Sequence, residues 1–380
     1  MPEPGSPVPA TGAWRPGDHP GCRQFETLFD ARPHVLEAGG RLEHVTVAYE
    51  TWGTLAPDAS NALLVLHALT GDSHAAGPPG PGHAVVGWWN ELIGPGAPID
   101  TDRFFVVCPN VLGGCGGTTG PSSDAPDGRA WAARFPLVTI RDQVVVEAAL
   151  ADRLGIERWG AVVGGSMGGM RVVEWAVGFP ERVERSVIVS VGAKATAEEI
   201  ALCSVQVRAI RLDPNWNGGD YYGAAPGTGP HAGLSTARSI GQISYRSELE
   251  FDERFGRDHQ GDEEPLDGGR YAIESYLEYH GDKLARRFDA NTYIVLSEAM
   301  NHHDVGRGRG GIAEALARVR AEVTIAGVSS DWLYPLRLQH ELAALIPNAS
   351  GVDVIQSSSG HDGFLIEHDA VGKIIRRALQ

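Results

Sequence analysis

Three residues in this chain have the types and spacing to do chemistry together: Ser166, Asp331 and His361. Ser166 is the centre of Gly164-Gly165-Ser166-Met167-Gly168-Gly169, a G-x-S-x-G between an apolar run ending at Val163 and a helical pattern from Met170. A strand–turn–helix of this kind holds the serine in a strained turn, and its glycines let the two backbones pass closely. The hydroxyl then stands above the sheet. The N–H of Met167 lies at the positive start of the following helix, where it can stabilise an oxyanion. Asp331 comes just after the apolar run 323–328, and His361 just after 352–356. If all three emerge on one sheet edge, His361 can take the serine proton. Asp331 can then orient the imidazole and stabilise the imidazolium, leaving Ser166 to take up an acyl group.

That edge requires a particular scaffold. Residues 42–51 alternate like an antiparallel strand. Residues 61–67 and 104–108 are continuous apolar runs, as are 185–191 and 323–328, the pattern of buried parallel strands. Amphipathic helical stretches separate them, over 140–154, 170–179 and 336–345. This alternation predicts a mostly parallel α/β sheet, in which sites form beyond the carboxyl ends of the strands. The chain order of serine, acid and histidine is that of α/β-hydrolases. From 193 to 311 the rhythm breaks into helical stretches joined by polar Gly/Pro loops, which reads as an inserted helical lid. The expected organisation is a flexible arm over 1–40, core over 41–192, lid over 193–311 and core again over 312–380.

Lys and Arg number 32 against 48 Asp and Glu, a net charge of −16, which argues against nucleic acid or an anionic membrane surface as partner. The four cysteines (Cys22, Cys108, Cys115 and Cys203) have no C-x-x-C spacing, consistent with a reducing compartment. The Pro- and Gly-rich first twenty residues lack the apolar centre of a signal peptide, and no run is long enough for a membrane span, so a cytoplasmic location is expected.

Other motifs are weaker. The glycine-rich 110–120 lacks the G-K-[ST] ending of a phosphate loop and reads as an irregular loop near the site. His302 and His303 are adjacent, so they point apart, and no third ligand matches them; no metal site is expected there. Met167, Met170 and Trp175 read as core or pocket lining. Arg238 and Tyr245 read by type alone as solvated helix residues within the lid.

Taken together, these motifs resemble the homoserine O-acetyltransferase family of α/β-hydrolase-fold acyltransferases. The resemblance runs from about Tyr49 to Leu365. It includes YETWG at 49–53, HALTGDSH at 67–74, GWW at 87–89, NVLGGC at 110–115 and GTTGPSS at 117–123. Beyond GGSMGGM it continues through GGDYY at 218–222, ESYLEYHGDK at 274–283, RFDAN at 287–291, HDVGRGRGG at 303–311 and GHDGF at 360–364. It implies transfer of acetyl from the co-substrate acetyl-CoA to the side-chain hydroxyl of L-homoserine, without a resident cofactor. It also implies Ser166, Asp331 and His361 as the triad and the N–H groups of Leu69 and Met167 as the oxyanion hole. By the same resemblance Arg238, Asp362 and Tyr245 contact substrate, and a homodimer forms through the lid. Serine as acceptor, succinyl-CoA as donor, and hydrolysis by the same triad are the alternatives that spacing leaves open.

Overall fold

The computed structural model describes residues 8–380. Eight strands make the central sheet: β1 (Gln24–Leu28), β2 (Val45–Trp52), β3 (Ala62–Leu66), β4 (Phe105–Pro109), β5 (Ala161–Gly165), β6 (Arg185–Val189), β7 (Glu322–Val328) and β8 (Ala349–Ile355). Their order is β1-β2-β4-β3-β5-β6-β7-β8. The first two pairings, β1–β2 and β2–β4, are antiparallel and the rest are parallel. β3 (ALLVL) and β5 (AVVGG) are buried at every residue because helices cover both faces, which is why they read as unbroken apolar runs.

On one face lie α1 (Ile140–Arg153) and α2 (Met167–Gly178). A capping box sets the start of α1, with Thr139 Oγ1 accepting from the Asp142 N–H and the Asp142 carboxylate accepting from the Thr139 N–H. All of α2 from Met167 to Val177 is buried, including Trp175 and Arg171, so this helix fills the space behind the sheet rather than floating on it.

Between β6 and β7 the chain leaves the sheet for α3 (Ala197–Leu212), α4 (His231–Tyr245), α5 (Glu248–Arg254), α6 (Ala272–Ala285) and α7 (Ala290–Asn301), and returns through α8 (Ile312–Leu316). α4 packs between α3 and α6. The insertion is tied off at its base, where Ala195 N–H donates to the His303 carbonyl (2.9 Å) and Val305 N–H to the Ala193 carbonyl (3.1 Å). Its interior is held by Asp289, which accepts from Tyr221 Oη (2.8 Å), Tyr222 Oη (2.9 Å) and Thr11 Oγ1 (2.7 Å). α9 (Leu336–Leu345), α10 (Gly363–Ile366) and α11 (His368–Ala378) complete the chain; α11 covers the second face.

The structure corrects the arm expected over 1–40. Residues 24–28 are β1, an edge strand in register with β2 (Phe25 opposite Ala48), and Thr11 and Trp14 are hydrogen-bonded to Asp289 and Cys115. Residues 1–7 of that arm lie outside the described residues. Among the described residues no helix is long and apolar enough to cross a membrane.

Candidate active site

Ser166 ends β5 and begins α2 with φ 58° and ψ −129°, a conformation that costs a non-glycine residue free energy. The turn can be this tight because a Cβ on Gly168 would lie 2.1 Å from the Leu66 carbonyl oxygen, so only glycine lets α2 close on β3. His361 follows β8, and its Nδ1 is 2.7 Å from Asp331 Oδ2. The other oxygen of Asp331 accepts from the Tyr334 N–H (2.8 Å), which fixes the carboxylate's orientation. The imidazole is buried among Tyr334, Phe364 and Tyr245, and its Nε2 has no partner among the described residues. Burial alone would lower its pKa. The adjacent Asp331 carboxylate outweighs that, and the pKa rises above its ordinary 6.5. Gly360 (φ 65°) lets the histidine turn press on the α4–α5 link, where a Cβ would meet the Arg246 backbone at 2.7 Å.

Ser166 and His361 line one cavity of about 120 Å³ between the sheet edge and the insertion. That is well below the several hundred Å³ of pockets for drug-sized ligands, and suits small groups. Leu69, Arg238, Tyr245 and Asp362 line it too; Asp331 stands behind it, bonded to His361, and the Met167 side chain is buried in the core. The backbone N–H groups of Leu69 and Met167 donate to no acceptor among the described residues. The loop carrying Leu69 is braced from both sides. Arg171 of α2 donates to the His67 carbonyl, and Arg287, just after α6, donates to the Thr70 carbonyl (3.0 Å). His67 itself accepts from the Val111 N–H, and burial, then the nearby Arg171, lowers its pKa to about 3, so it is a neutral strut.

Arg238 is not a solvated helix residue, contrary to the reading by type. It is half-buried over the cavity, stacked on the Tyr245 ring (5.1 Å), and has no ion pair or hydrogen bond among the described residues. Asp362 lies 3.3 Å from Arg246 through Oδ2. Burial raises its pKa, against the pull of Arg246, Arg238 and His361. His303 turns away from any ligand set and bonds the Gly192 carbonyl (3.1 Å). One other group of ligand-type atoms, Cys22, Glu50 and His83, lies within 4.8 Å. There Glu50 already accepts from Ser73 Oγ (2.9 Å) and pairs with His74 Nδ1 (2.9 Å).

The chain matches the family model of the alpha/beta hydrolase fold over residues 61–367. It is 60% identical over 373 residues, 98% of each chain, to the homoserine O-acetyltransferase of Thermobifida fusca. The chain belongs to the homoserine O-acetyltransferase family. Among solved structures, that of homoserine O-acetyltransferase from Bacillus anthracis is similar at 30% identity and TM-score 0.85, covering 94% of this chain and 97% of that one. Esterase E22 is similar at 29% identity and TM-score 0.84, covering 94% and 99%. The family's scaffold is thus shared between acyltransferases and ester hydrolases.

In this acyltransferase two site residues escape sequence reasoning. Glu199, in the first turn of α3, lines the cavity with Oε1 buried and without a partner among the described residues, and burial raises its pKa to about 7. Its only sequence signal is the capping box with Thr196, which it also forms. Arg246 pairs with Glu250 four residues on and with Asp362; only the first of these is visible in local spacing, and it does not point to the site.

Proposed function

We propose that this chain moves an acetyl group from acetyl-CoA to the side-chain hydroxyl of L-homoserine, in the cytoplasm, as a step in methionine biosynthesis, by double displacement through Ser166. His361 Nε2 removes the serine proton as Oγ attacks the thioester carbonyl. The tetrahedral oxyanion accepts hydrogen bonds from the Leu69 and Met167 N–H groups, each donor worth roughly 3–4 kcal/mol to the transition state. Collapse expels the CoA thiolate, which takes the proton from His361. Homoserine's hydroxyl then gives its proton to the same nitrogen and attacks the acetyl-serine; collapse releases O-acetylhomoserine and expels Ser166 Oγ, which takes the proton back from His361. Asp331 holds the imidazole in position through both halves.

The observation that carries the acceptor assignment is Arg238, an unpaired cation half-buried over the nucleophile's cavity. A simple ester has no carboxylate for it, whereas an amino acid does, and a guanidinium binds a carboxylate as a two-pronged fork. Asp362 pairs with Arg246 through Oδ2, and its Oδ1 makes no hydrogen bond among the described residues and is left for the homoserine ammonium. Tyr245 holds the arginine's plane beside the imidazole. A homodimer through the insertion is supported by exposed Ile200, Val205, Leu212, Ile243, Leu249 and Leu266, all on that block.

The reading is tested by mass spectrometry of products formed from acetyl-CoA or succinyl-CoA with homoserine, serine or water. O-Acetylhomoserine should dominate, and acetyl-CoA alone should leave an acetyl mass on the Ser166 peptide. Free acetate as the main product with homoserine present would assign the chain to the esterase side of its fold.

A further inference from the structure

A second hollow adjoins the catalytic cavity. It has a volume of about 500 Å³ and shares Thr70, the residue after the oxyanion-loop Leu69, with the catalytic cavity. Arg23, Lys283, Arg286 and Arg287 line it, and none of the four is in an ion pair among the described residues. Arg23 and Arg287 spend N–H groups on backbone carbonyls, at Gly82 (3.0 Å) and Thr70 (3.0 Å). The side chains of Lys283 and Arg286 are exposed and make no hydrogen bond among the described residues. Two carboxylates face the same hollow, Asp18 and Asp72; Asp18 accepts from the Arg15 N–H, and Arg23 and Arg287 help hold the Asp72 carboxyl below its ordinary pKa against the cost of burial. His19, His74, His83 and Cys115 are the remaining titratable wall, with His74 paired to Glu50 and the Cys115 thiol pushed up to about 12 by burial. Four cations against two carboxylates make this a positive site on a chain whose net charge is −16.

The same walls offer apolar surface. Val85 and Val86 are 44% and 47% exposed, large fractions for valine, and Trp88 stands beside them. A larger hollow of about 1080 Å³ combines Arg15 and Arg41 with Glu43 and Asp124 and shares no residue with the catalytic cavity, so it has neither the charge excess nor the route to Ser166.

We infer that the hollow beside Thr70 seats the phosphorylated nucleotide end of the acyl donor, the diphosphate and 3′-phosphate against Lys283, Arg286, Arg23 and Arg287 and the adenine against Val85, Val86 and Trp88. This rests on the reading of acetyl-CoA as donor. The catalytic cavity is too small for more than the acyl group and the acceptor, so the nucleotide needs a separate seat. An unpaired cluster of cations gives up little to receive phosphates, since no ion pair must first be broken. The thioester's long neutral arm would then cross the rim at Thr70 and arrive beside the Leu69 N–H.

The test compares the wild type with Lys283→Gln/Arg286→Gln, two exposed residues whose loss removes no internal bond. Adenosine 3′,5′-bisphosphate, the probe, is titrated calorimetrically into both proteins, and kcat/KM is measured with acetyl-CoA and with acetyl-pantetheine, which lacks the phosphates and nucleotide. The probe should bind the wild type competitively with acetyl-CoA, and at least tenfold more weakly to the variant. The ratio of kcat/KM for acetyl-CoA to that for acetyl-pantetheine should fall about 30-fold, roughly the loss of one to two charge-assisted contacts. Equal probe affinity in both proteins, or a ratio that does not move, overturns the seat while leaving the acetyl-transfer chemistry standing. A wild type that consumes neither thioester overturns the donor reading instead, and the probe titration then still decides whether the hollow takes a nucleotide.

Discussion

Two buried or half-buried arginines show how the sheet core and the helical insertion treat charge. Arg171 of α2 is fully enclosed and engages two internal acceptors: Nη1 donates to Glu147 (2.7 Å) and Nη2 to the His67 carbonyl, while its Nε has no partner among the described residues. Glu147 in turn accepts from the Trp175 indole (2.8 Å). Arg238 of α4 stands over the catalytic cavity with only an aromatic ring beneath it. The core pairs its cation with internal acceptors and obtains a braced oxyanion loop. The insertion leaves its cation open, which leaves it available to a ligand. In this pair the core arginine supplies rigidity and the insertion arginine is left for recognition.

The sharpest way to test this division is to strike the core's chemistry. Ser166→Ala and His361→Ala should each cut acetyl transfer by about 10⁴–10⁶-fold in a folded protein, measured as acetyl-CoA consumption with homoserine. Asp331→Asn should cost about 10⁴-fold. The wild-type kcat/KM should fall as pH drops through a value above 6.5, because protonation of His361 removes the base. In Asp331→Asn that acid limb should move to lower pH, since burial then acts without the opposing carboxylate.

The next largest effect separates structural charge from available charge. Arg171→Met leaves Glu147 buried without its partner and should lower unfolding free energy by about 3–5 kcal/mol in denaturant titration, with Arg171→Met/Glu147→Leu recovering much of the loss. Arg238→Gln should leave stability within about 0.5 kcal/mol. It should raise KM for homoserine roughly 30-fold without slowing acetylation of Ser166, and Arg238→Lys should recover only part of this. Loss of stability in Arg238→Gln comparable to that in Arg171→Met would erase the distinction.

The smallest effect tests a charge that the insertion holds near neutrality. Folding raises the Glu199 pKa from 4.5 to about 7, so the fold favours its protonated form. Its contribution to stability is therefore present below pH 4.5 and is lost as pH rises towards 7. Glu199→Gln should match the wild type at pH 4 and exceed it by about 1–2 kcal/mol at pH 8, read from thermal unfolding at both values.

Much of the sheet is legible because buried parallel strands carry their own signature. Four strands read as apolar runs lie within a few residues of where they are found, and the order Ser166, Asp331, His361 needs only the strand ends to be right. β1 is illegible for a physical reason: as an edge strand it buries only Leu28 fully, so Gln24–Leu28 has no apolar pattern to detect. The pairing of Asp362 with Arg246 is invisible because 116 residues separate the partners and only the packed insertion brings them together. Arg238 was misread by type for the same reason. A helix residue's solvent side is known only once its neighbours are placed.

Because Ala193 and Ala195 are fastened to Val305 and His303, the segment between them departs from and rejoins the sheet at a single neck. Topologically it is a cassette: a helix lengthened or shortened beyond the neck need not shift β6 or β7, and so need not disturb the strand ends that carry the nucleophile, acid and base. Such a scaffold can alter the part of the cavity wall that Glu199, Arg238 and Tyr245 supply while Ser166, Asp331 and His361 keep their places.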